Sequence, residues 1–597
     1  MVATVLISST TKFFNILFLM VLVACASKPK PVRVLTVEEQ QQREVTFVAG
    51  PSQEGVSTFF KDETNSLGLT GTSGTQNYAV DFDLDGHTDL AVLPDHYSIP
   101  KFFRFQPKVK KFVPIPSPFE EVLRASFLLF YDFDGDTIRD CIVGTLNQKT
   151  ELTRYPLRMF KGSLRKGRYV LTEVKDAFPT KIEPTASVIP LDFDLDGKLD
   201  LFLANWYRKE GGKNVARPDR LLKGDGLKFL DVSNLLGNEH ETSRDDVKYP
   251  NAMPSFAASV CDIDQNGYPD ILVSNSSGFP DKLWMNLKDS RRKSVHYVDV
   301  GVASGFAQDG DGIFAPRGAG NSFYAVCADY NNDGIMDIAK GELFHSYDPE
   351  SRDRSAILSG SSFDYPPKFI RTEYHRDDGS GNWSQGDRRG VWEDLNQDGL
   401  IDLVVENSGF PPKSRFVFFE QQLNHAYEDK AEIYGLDLVN PSGTVTMDWN
   451  RDGKPDLLIG QSSLRTESIQ PRLYAFQNEF PSQYPSVRFF LRGKKANKFG
   501  IGALVILKTS QDTQRRMAIE SFGNLPSQVS EGVSFGLGQS EAKFVEVRWP
   551  ILTKVKGGKM MPLLKSYNLS KYDLSKVHEI TLCENGKSYE GFRKSCP

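Results

Sequence analysis

The sequence of 597 residues predicts an all-β protein built around a β-propeller, and three observations lead to this prediction. A nine-residue acidic segment recurs seven times along the chain, an apolar run typical of a buried strand follows most copies, and 48 glycines and 33 prolines provide for many turns. A chain of this length exceeds one ordinary domain unless it forms a repeat array, and propeller blades of about 40–50 residues are such an array.

The repeated segment carries oxygen-bearing side chains at its positions 1, 3, 5 and 9. The copies begin at residues 81, 132, 192, 262, 329, 394 and 448, so their separations are 51, 60, 70, 67, 65 and 54 residues. Glycine occupies position 6 in every copy except the second, where Thr137 replaces it. We predict that all 28 side chains at these four positions are metal ligands: Asp81, Asp83, Asp85 and Asp89; Asp132, Asp134, Asp136 and Asp140; Asp192, Asp194, Asp196 and Asp200; Asp262, Asp264, Asn266 and Asp270; Asp329, Asn331, Asp333 and Asp337; Asp394, Asn396, Asp398 and Asp402; Asp448, Asn450, Asp452 and Asp456.

This spacing indicates a hard cation. Side chains at positions 1, 3, 5 and 9 converge only if the backbone wraps around one point, and glycine at position 6 permits the sharp turn. Three or four carboxylates held so close repel one another strongly unless a counterion lies among them. All-oxygen ligands with flexible geometry favour Ca²⁺ over Mg²⁺, so the sequence predicts up to seven calcium ions.

An EF-hand is the main alternative for an acidic loop of this kind. It needs a glutamate at position 12 and a helix on each side. Position 12 here is apolar, as at Val92, Val143 and Leu203, and lies within a strand-like run. Each loop is therefore expected to connect two β-strands.

The loops and their flanking strands resemble the FG-GAP/VCBS repeats of integrin α-subunit propellers and their bacterial relatives. Aromatic and acidic strands such as Phe59-Phe60-Lys61-Asp62 and Tyr297-Val-Asp299-Val300 belong to the same pattern. The resemblance implies a seven-bladed propeller over residues 51–485 with the calcium loops on one face. It also implies that the ions are structural and that ligands bind the opposite face or the upper loops.

The last segment, residues 486–597, lacks the repeat. The stretch Gly493-Lys-Lys-Ala-Asn497-Lys-Phe-Gly500-Ile-Gly502-Ala503 and the later Val545-Glu-Val-Arg548-Trp549-Pro550 resemble the ASPIC/UnbV domain of the cartilage acidic protein family. We expect a small β-sandwich, and no catalytic role follows from the resemblance. The segment holds 19 Lys and Arg against 9 Asp and Glu, which indicates either contact with an anionic glycan or lipopolysaccharide, or simply a solvated surface.

The N-terminus has the pattern of an export signal. Lys12 precedes an apolar run over residues 13–23, and Leu22-Val23-Ala24-Cys25 resembles a bacterial lipobox. We interpret residues 1–24 as a lipoprotein signal peptide, Cys25 as the lipidated residue and residues 25–50 as a tether; an ordinary signal with a chance cysteine is the alternative. Ala26 after the cysteine favours the outer membrane of a Gram-negative bacterium, with the protein in the periplasm or on the cell surface.

The other cysteines suit an oxidising compartment. Cys583 and Cys596 are expected to form a disulfide. Cys141, Cys261 and Cys327 lie beside acidic loops in apolar surroundings and are expected to be buried small hydrophobic residues.

No GxSxG, GxxxxGK[ST] or HExxH motif is present, and the eight histidines are scattered, so a non-enzymatic protein is expected. The preferred hypothesis is an adhesion or recognition module that binds an extracellular or periplasmic protein or glycan, contacts the membrane through its N-terminal lipid and binds no nucleic acid. A polysaccharide-active enzyme or lectin on a propeller scaffold and a structural or assembly lipoprotein remain alternatives.

Overall fold

The computed structural model describes residues 59–146, 157–179, 183–237, 252–287, 297–307, 320–344, 354–374, 385–411, 413–481 and 484–597. The predicted signal peptide, Cys25 and the tether lie outside these ranges. The described residues contain 40 strands, a single four-residue α-helix, Gly301–Ser304, and a 3₁₀ turn, Ser233–Leu235, which confirms the all-β prediction. Within these ranges, no helix has the length and apolar character needed to cross a membrane.

Before residue 484 the strands form seven four-stranded antiparallel units, which we call sheets and number 1 to 7 by the acidic loop that each contains. Sheets 5 and 6 are joined by pairing of Asp337–Phe344 with Gln385–Glu393, and the first strand of sheet 1 also pairs in parallel with Ser527–Gln528. Sheets 1 to 3 comprise Gln76–Val80, Asp89–Leu93, Lys101–Gln106 and Lys111–Ile115; Phe127–Tyr131, Asp140–Gly144, Leu157–Arg165 and Arg168–Val174; and Thr185–Leu191, Asp200–Asn205, Arg220–Asp225 and Lys228–Asp231. Sheet 3 is accompanied by the hairpin Tyr207–Glu210 and Lys213–Ala216.

Sheets 4 to 7 repeat this arrangement. They comprise Ser255–Cys261, Asp270–Asn275, Lys282–Asn286 and Tyr297–Asp299; Ser322–Ala328, Asp337–Phe344, Ala356–Gly360 and Phe369–Glu373; Gln385–Glu393, Asp402–Asn407, Phe416–Gln421 and Tyr427–Asp429; and Pro441–Met447, Asp456–Gln461, Arg472–Asn478 and Phe60–Asp62. The fourth strand of sheet 7 therefore comes from the opposite end of the chain, where Phe60–Asp62 pairs with Arg472–Asn478.

Buried apolar clusters join each sheet to the next. The pairs Phe82 and Phe130, Tyr131 and Leu203, Ile189 and Val260, Cys261 and Ile338, Ala339 and Val405, and Phe418 and Ile459 link sheets 1 to 7 in order. A further cluster with Leu90 and Leu458 links sheet 7 back to sheet 1. The apolar contacts thus form a closed cycle, and burial of these side chains is the main favourable term that holds the sheets together.

Residues after 484 form two further four-stranded sheets. One contains Ser486–Arg492, Val533–Gly536, Glu579–Cys583 and Ser588–Glu590; the other contains Leu504–Thr509, Thr513–Met517, Ala542–Lys554 and Met560–Asn568. Both contribute to one apolar cluster, which includes the buried Phe489, Val505 and Trp549. We call this part the C-terminal domain.

Residues 519–530 leave the C-terminal domain and enter the centre of the sheet cycle; we call them the plug. They contain the short strands Ser521–Phe522 and Ser527–Gln528. The Gln528 side chain accepts from the Phe130 N–H at 2.9 Å and donates to the Phe130 carbonyl at 2.7 Å. The Gly523 N–H donates to the Ala258 carbonyl at 3.1 Å. The plug therefore completes hydrogen bonds of first strands that face the centre.

The cysteines differ in part from the expectation. Cys261 and Cys327 form a disulfide between the first strands of sheets 4 and 5, with a Cα–Cα distance of 6.1 Å. The expectation that they are buried small hydrophobic residues holds for the burial of Cys261, but Cys327 is half-buried and the covalent link was not predicted. Their proximity depends on how two sheets pack, which the spacing of 66 residues does not reveal. Cys583 and Cys596 are also joined, with a Cα–Cα distance of 6.0 Å, and Cys141 is buried and free.

Candidate metal centre

Each acidic loop connects the first and second strands of its sheet, as expected, and its conformation is set by backbone hydrogen bonds to its own side chains. The position-1 carboxylate accepts from the N–H at position 6 in all seven loops, at 2.8–3.2 Å. The position-5 side chain accepts from the N–H at position 7 at 2.7–2.9 Å. The position-6 glycines have φ between 87° and 93°, and Thr137 is held at 76°. This left-handed conformation is the reason for glycine there.

The position-9 aspartates have a role that the sequence analysis missed. In every loop, Oδ2 accepts from the N–H at position 2 at 2.8–3.2 Å. Oδ1 accepts from an N–H of the third strand at 2.7–3.0 Å. Each position-9 carboxylate therefore joins its loop to the third strand of the same sheet. All seven are buried, with at most 2% of the side chain exposed.

Loops 1 to 4 bring carboxylates together in groups that could hold a metal ion. The grouped residues, whose ligand oxygens lie within 4.8 Å of one another, are Asp81, Asp83 and Asp85; Asp132, Asp134 and Asp136; Asp192, Asp194 and Asp200; and Asp262, Asp264 and Asp270. In loops 5 to 7, position 3 is asparagine. The amides of Asn331, Asn396 and Asn450 donate to the position-5 aspartates Asp333, Asp398 and Asp452 at 2.9–3.2 Å.

Burial and mutual repulsion disfavour the ionised form of these carboxylates. Burial raises the pKa of Asp81 to about 7, and the charges of Asp85 and Asp83 add to the rise. Burial likewise raises the pKa of Asp140 and of Asp200 to about 8. Ionised carboxylates at neutral pH therefore need a positive charge inside the loop, which a bound dication supplies.

Several carboxylate oxygens are buried without a hydrogen-bond partner. They include Oδ1 of Asp194, Oδ1 of Asp329 and Oδ1 of Asp394, one each in loops 3, 5 and 6. A buried acceptor without a donor is unfavourable by about 1–3 kcal/mol, and more when charged. Oxygens left free in this way are suitable ligands for a hard cation.

Basic side chains contact the loops from two different sources. In loops 1 to 3 they come from the third strand of the same sheet: Arg104 pairs with Asp83, Lys161 lies 2.8 Å from Asp136, and Lys223 lies 2.8 Å from Asp196.

Loops 4 and 5 receive arginines from the C-terminal domain. Arg548 lies 3.3 Å from Asp262 of loop 4, and Arg515 lies 2.9 Å from Asp329 of loop 5. In loop 6, burial raises the pKa of Asp394 and the charge of Arg516 opposes that rise. Arg488 acts on Asp448 of loop 7 in the same way, where burial raises the pKa to about 7.

The C-terminal domain lies directly on the loops. A Cβ atom added at Gly86 would lie 2.8 Å from the Phe592 ring, and one at Gly453 would lie 2.9 Å from His578. Additions at Gly197 and Gly267 would clash with the Lys495 carbonyl and with Pro562. Contacts of the C-terminal domain thus extend over loops at both ends of the series, and this face of the sheets is covered.

Comparison with known proteins supports the resemblance stated above. Residues 493–567 match the ASPIC and UnbV family model. The chain is 23% identical over 477 residues to cartilage acidic protein 1 of Homo sapiens, which covers 75% of this chain and 62% of the relative. The chain therefore spans about six-tenths of that relative's length. The resemblance to the ASPIC/UnbV domain and to cartilage acidic protein is confirmed.

Two further similarities are weaker. A T-cell immunomodulatory protein homolog of Plasmodium falciparum is 24% identical over 299 residues, which are 46% of this chain and 36% of that protein. The solved structure of the rhamnogalacturonan lyase PL11 of Bacillus licheniformis matches 68% of this chain and 91% of the lyase, with 12% sequence identity. Its TM-score is 0.30, which is too low to support a conclusion about this protein. Neither sequence relative bears the name of an enzyme, which agrees with the expectation of a non-enzymatic protein.

Sequence reasoning also missed the contacts between neighbouring loops. The position-4 side chains of loops 4 to 6 donate to the position-6 carbonyl of the next loop: Gln265 to Gly334, Asn332 to Gly399 at 3.4 Å, and Gln397 to Gly453 at 3.3 Å. Position 4 is Leu84, Gly135 or Leu195 in loops 1 to 3. This change from apolar or glycine to polar is the signal in the sequence that could have predicted the contacts.

Proposed function

We propose that this protein is a calcium-binding recognition module of the bacterial cell envelope, a seven-bladed β-propeller that binds a protein or glycan. The observation that carries the proposal is the clustering of carboxylate groups in loops 1 to 4, together with the unpaired buried oxygens of loops 3, 5 and 6. The closed cycle of apolar clusters supports a ring of seven blades.

Calcium is the cation that suits these residues best. Every candidate ligand is an oxygen, at least three carboxylates are present in each loop, and the chain can supply further carbonyl ligands. A bound Ca²⁺ would offset two of the three or four carboxylate charges in each loop and fix the path of the loop. Because the C-terminal domain packs on these loops, the ions would also stabilise the interface between the loops and that domain.

Recognition is assigned to the side of the ring opposite the acidic loops. The C-terminal domain occupies the face with the acidic loops and the plug fills the centre, and no described residue of either covers the opposite face. The two disulfides fit an exported protein. The lipobox-like sequence supports attachment through Cys25 to the outer membrane, and a cysteine-to-serine change at this position should release the protein from membranes.

The test uses the mature chain without lipid, residues 26–597. Elemental analysis of protein purified in calcium should find several Ca²⁺ per chain. A glycan array and binding to intact cells should give ligands whose binding is lost in EDTA and restored by calcium. Protein free of calcium, or binding indifferent to EDTA, contradicts the proposal. Turnover of a bound polysaccharide would favour the alternative of an enzyme, and no ligand at all would favour a structural role.

A further inference from the structure

The first strands of sheets 3 to 7 contain a β-bulge close to their beginning, at the end of the sheets remote from the acidic loops. The strand register shifts between Thr185 and Ser187, Ser255 and Ala257, Ser322 and Tyr324, Asp387 and Arg389, and Ser442 and Val445. The extra residue in sheets 3 to 6 is Ala186, Phe256, Phe323 and Arg388, respectively. A bulge re-aims the side chain it carries, and such bulges are frequent beside binding sites.

Three of these bulged residues, Ala186, Phe256 and Phe323, are buried in the apolar cluster at the tip of the plug, and Arg388 is half-buried. We call this group, together with its ring neighbours Trp206 and Phe410, the mouth. The Trp206 and Phe256 rings lie 3.9 Å apart between centroids, and the Phe256 and Phe323 rings lie 4.5 Å apart. Leu525 at the tip of the plug belongs to the same apolar cluster, and the half-buried Trp206 and Phe410 pack against it. The mouth is therefore apolar where it packs against the plug.

Two arginines lie at one side of this mouth. The Arg388 guanidinium lies 5.0 Å from the Phe323 ring centroid, and its Nε donates to the Ser408 carbonyl at 3.2 Å. The Arg465 guanidinium lies 4.7 Å from the Phe410 ring centroid. A Cβ added at Gly409 would lie 3.1 Å from an Arg388 terminal nitrogen and 3.4 Å from Leu464, so Gly409 leaves room between the two arginine-bearing segments.

Neither arginine has a carboxylate within 4 Å in the described part of the chain, unlike its neighbours. Arg389, the next residue, lies 3.8 Å from Glu406 and donates to Ser527 and to the Asn524 carbonyl of the plug. Arg389 thus stabilises the plug, whereas among the described residues Arg388 and Arg465 lie against the Phe323 and Phe410 rings and Arg388 donates to the Ser408 carbonyl.

The charges of the two arginines act on each other. Burial lowers the pKa of Arg388 to about 10, and the positive charge of Arg465 contributes to this decrease. Burial also lowers the pKa of His96, where Asp95 opposes the decrease and the charge of Arg388 adds to it. The charge of Glu406, which lies 3.8 Å from Arg389, opposes the decrease at Arg388. Two positive charges placed together favour the binding of an anion beside them.

We propose that Arg388 and Arg465 bind an anionic group of an acidic polysaccharide at this mouth, next to Trp206 and Phe410. The guanidinium fork matches the oxygens of a carboxylate or a sulfate, and half-buried rings suit the apolar face of a sugar. This site specifies the ligand class of the proposed recognition module and rests on that function. Carboxylated and sulfated sugars share the required chemistry, and the test separates them.

The experiment measures binding to calcium-loaded residues 26–597 by titration calorimetry. The probes are an oligogalacturonate, its neutral methyl ester and a sulfated oligosaccharide of equal length. At least one charged probe should bind, and the ester should bind at least about tenfold more weakly, because it cannot form charge-assisted hydrogen bonds to the guanidinium groups. Arg388→Gln and Arg465→Gln should each weaken binding of the charged probe about tenfold. Arg168→Gln, at an exposed arginine of the outer strand of sheet 2, is the matched control and should bind as the unaltered protein does.

Arg465 is exposed, so its variant should keep the melting temperature and test the site even if the Arg388 variant unfolds. Equal binding of the ester, unaltered binding by Arg465→Gln, or no binding of either charged probe overturns the site. If the glycan array nevertheless finds a calcium-dependent ligand whose binding the arginine variants retain, recognition stands and only this site is wrong.

Discussion

The acidic loops of sheets 1 to 3 differ from those of sheets 4 to 7 in the origin of the basic side chains that contact them. The former have four aspartates, and Arg104, Lys161 or Lys223 comes from the same sheet. The latter have three aspartates and one asparagine, and arginines of the C-terminal domain approach them. Loops 1 to 3 therefore receive their basic side chains from the same sheet. Loops 4 to 7 receive theirs from the C-terminal domain, which lies far away in sequence.

Calcium removal is expected to have the largest effect on both groups of loops. A ligand at 100 times its dissociation constant stabilises the fold by about 2.7 kcal/mol per site, so several sites together should raise the melting temperature by about 10 °C or more. Calorimetry in calcium and in EDTA measures the difference. If loops 4 to 7 rely on the C-terminal domain more than loops 1 to 3 do, partial chelation should first loosen that domain. Faster proteolysis after residue 484 would show this. Equal melting temperatures in the two buffers would contradict a structural role for the ion.

The stability of the metal-free protein should depend on pH. The pKa values of Asp81, Asp140 and Asp262 in the folded chain are raised to about 7, 8 and 7, chiefly by burial. Between the ordinary aspartate value near 3.8 and these values, the folded state holds protons that the unfolded state releases, so stability falls as pH rises. In EDTA the melting temperature should therefore decrease from pH 5 to pH 8, and the gain on adding calcium should grow over the same range. An increase in EDTA would show that the loops are not protonated as expected.

Removal of a basic side chain that contacts a loop aspartate should affect loop 5 more than loop 3. Arg515 pairs with Asp329, whose side chain is fully buried, whereas Lys223 pairs with the part-exposed Asp196. In EDTA, Arg515→Gln should lower the free energy of unfolding by about 3–5 kcal/mol, because the buried Asp329 carboxylate loses its charged partner. Lys223→Gln should cost about 0.5–1 kcal/mol. Urea unfolding in EDTA measures both, and similar losses would mean that the two groups of loops do not differ.

Close packing of the C-terminal domain on the loops gives a smaller expected effect. Alanine at Gly197, with φ of 89°, would clash with the Lys495 carbonyl, whereas alanine at Gly167, with φ of 75°, would meet no atom within 4 Å. Gly167→Ala should cost about 1 kcal/mol from backbone conformation alone, and Gly197→Ala about 1–2 kcal/mol more. Denaturant unfolding compares the two variants. Equal losses would mean that the domain does not rest on loop 3.

The sequence predicts the acidic loops well because their chemistry is local. The positions of Asp192, Asp196 and Gly197 within nine residues determine the turn and its internal hydrogen bonds. The same holds for the strands on either side, since apolar runs follow the loops directly.

Contacts between distant segments could not be predicted in this way. Arg515 reaches Asp329 across 186 residues, and Gln528 reaches Phe130 across 398 residues. The disulfide between Cys261 and Cys327 and the placement of Arg388 at a bulge also depend on how whole sheets pack. Single-sequence patterns carry no signal for such packing, because it arises from the summed burial of many side chains.

The plug limits how early the fold can be completed during synthesis of the chain. During synthesis, the strand Phe60–Asp62 leaves the ribosome early, and its neighbour in sheet 7 follows about four hundred residues later. The side chain of Gln528, which completes the hydrogen bonds of Phe130, follows later still. A nascent or prematurely terminated polypeptide that ends before residue 519 would have an open interior. The sheet cycle can therefore close around the plug only after most of the chain has been synthesised.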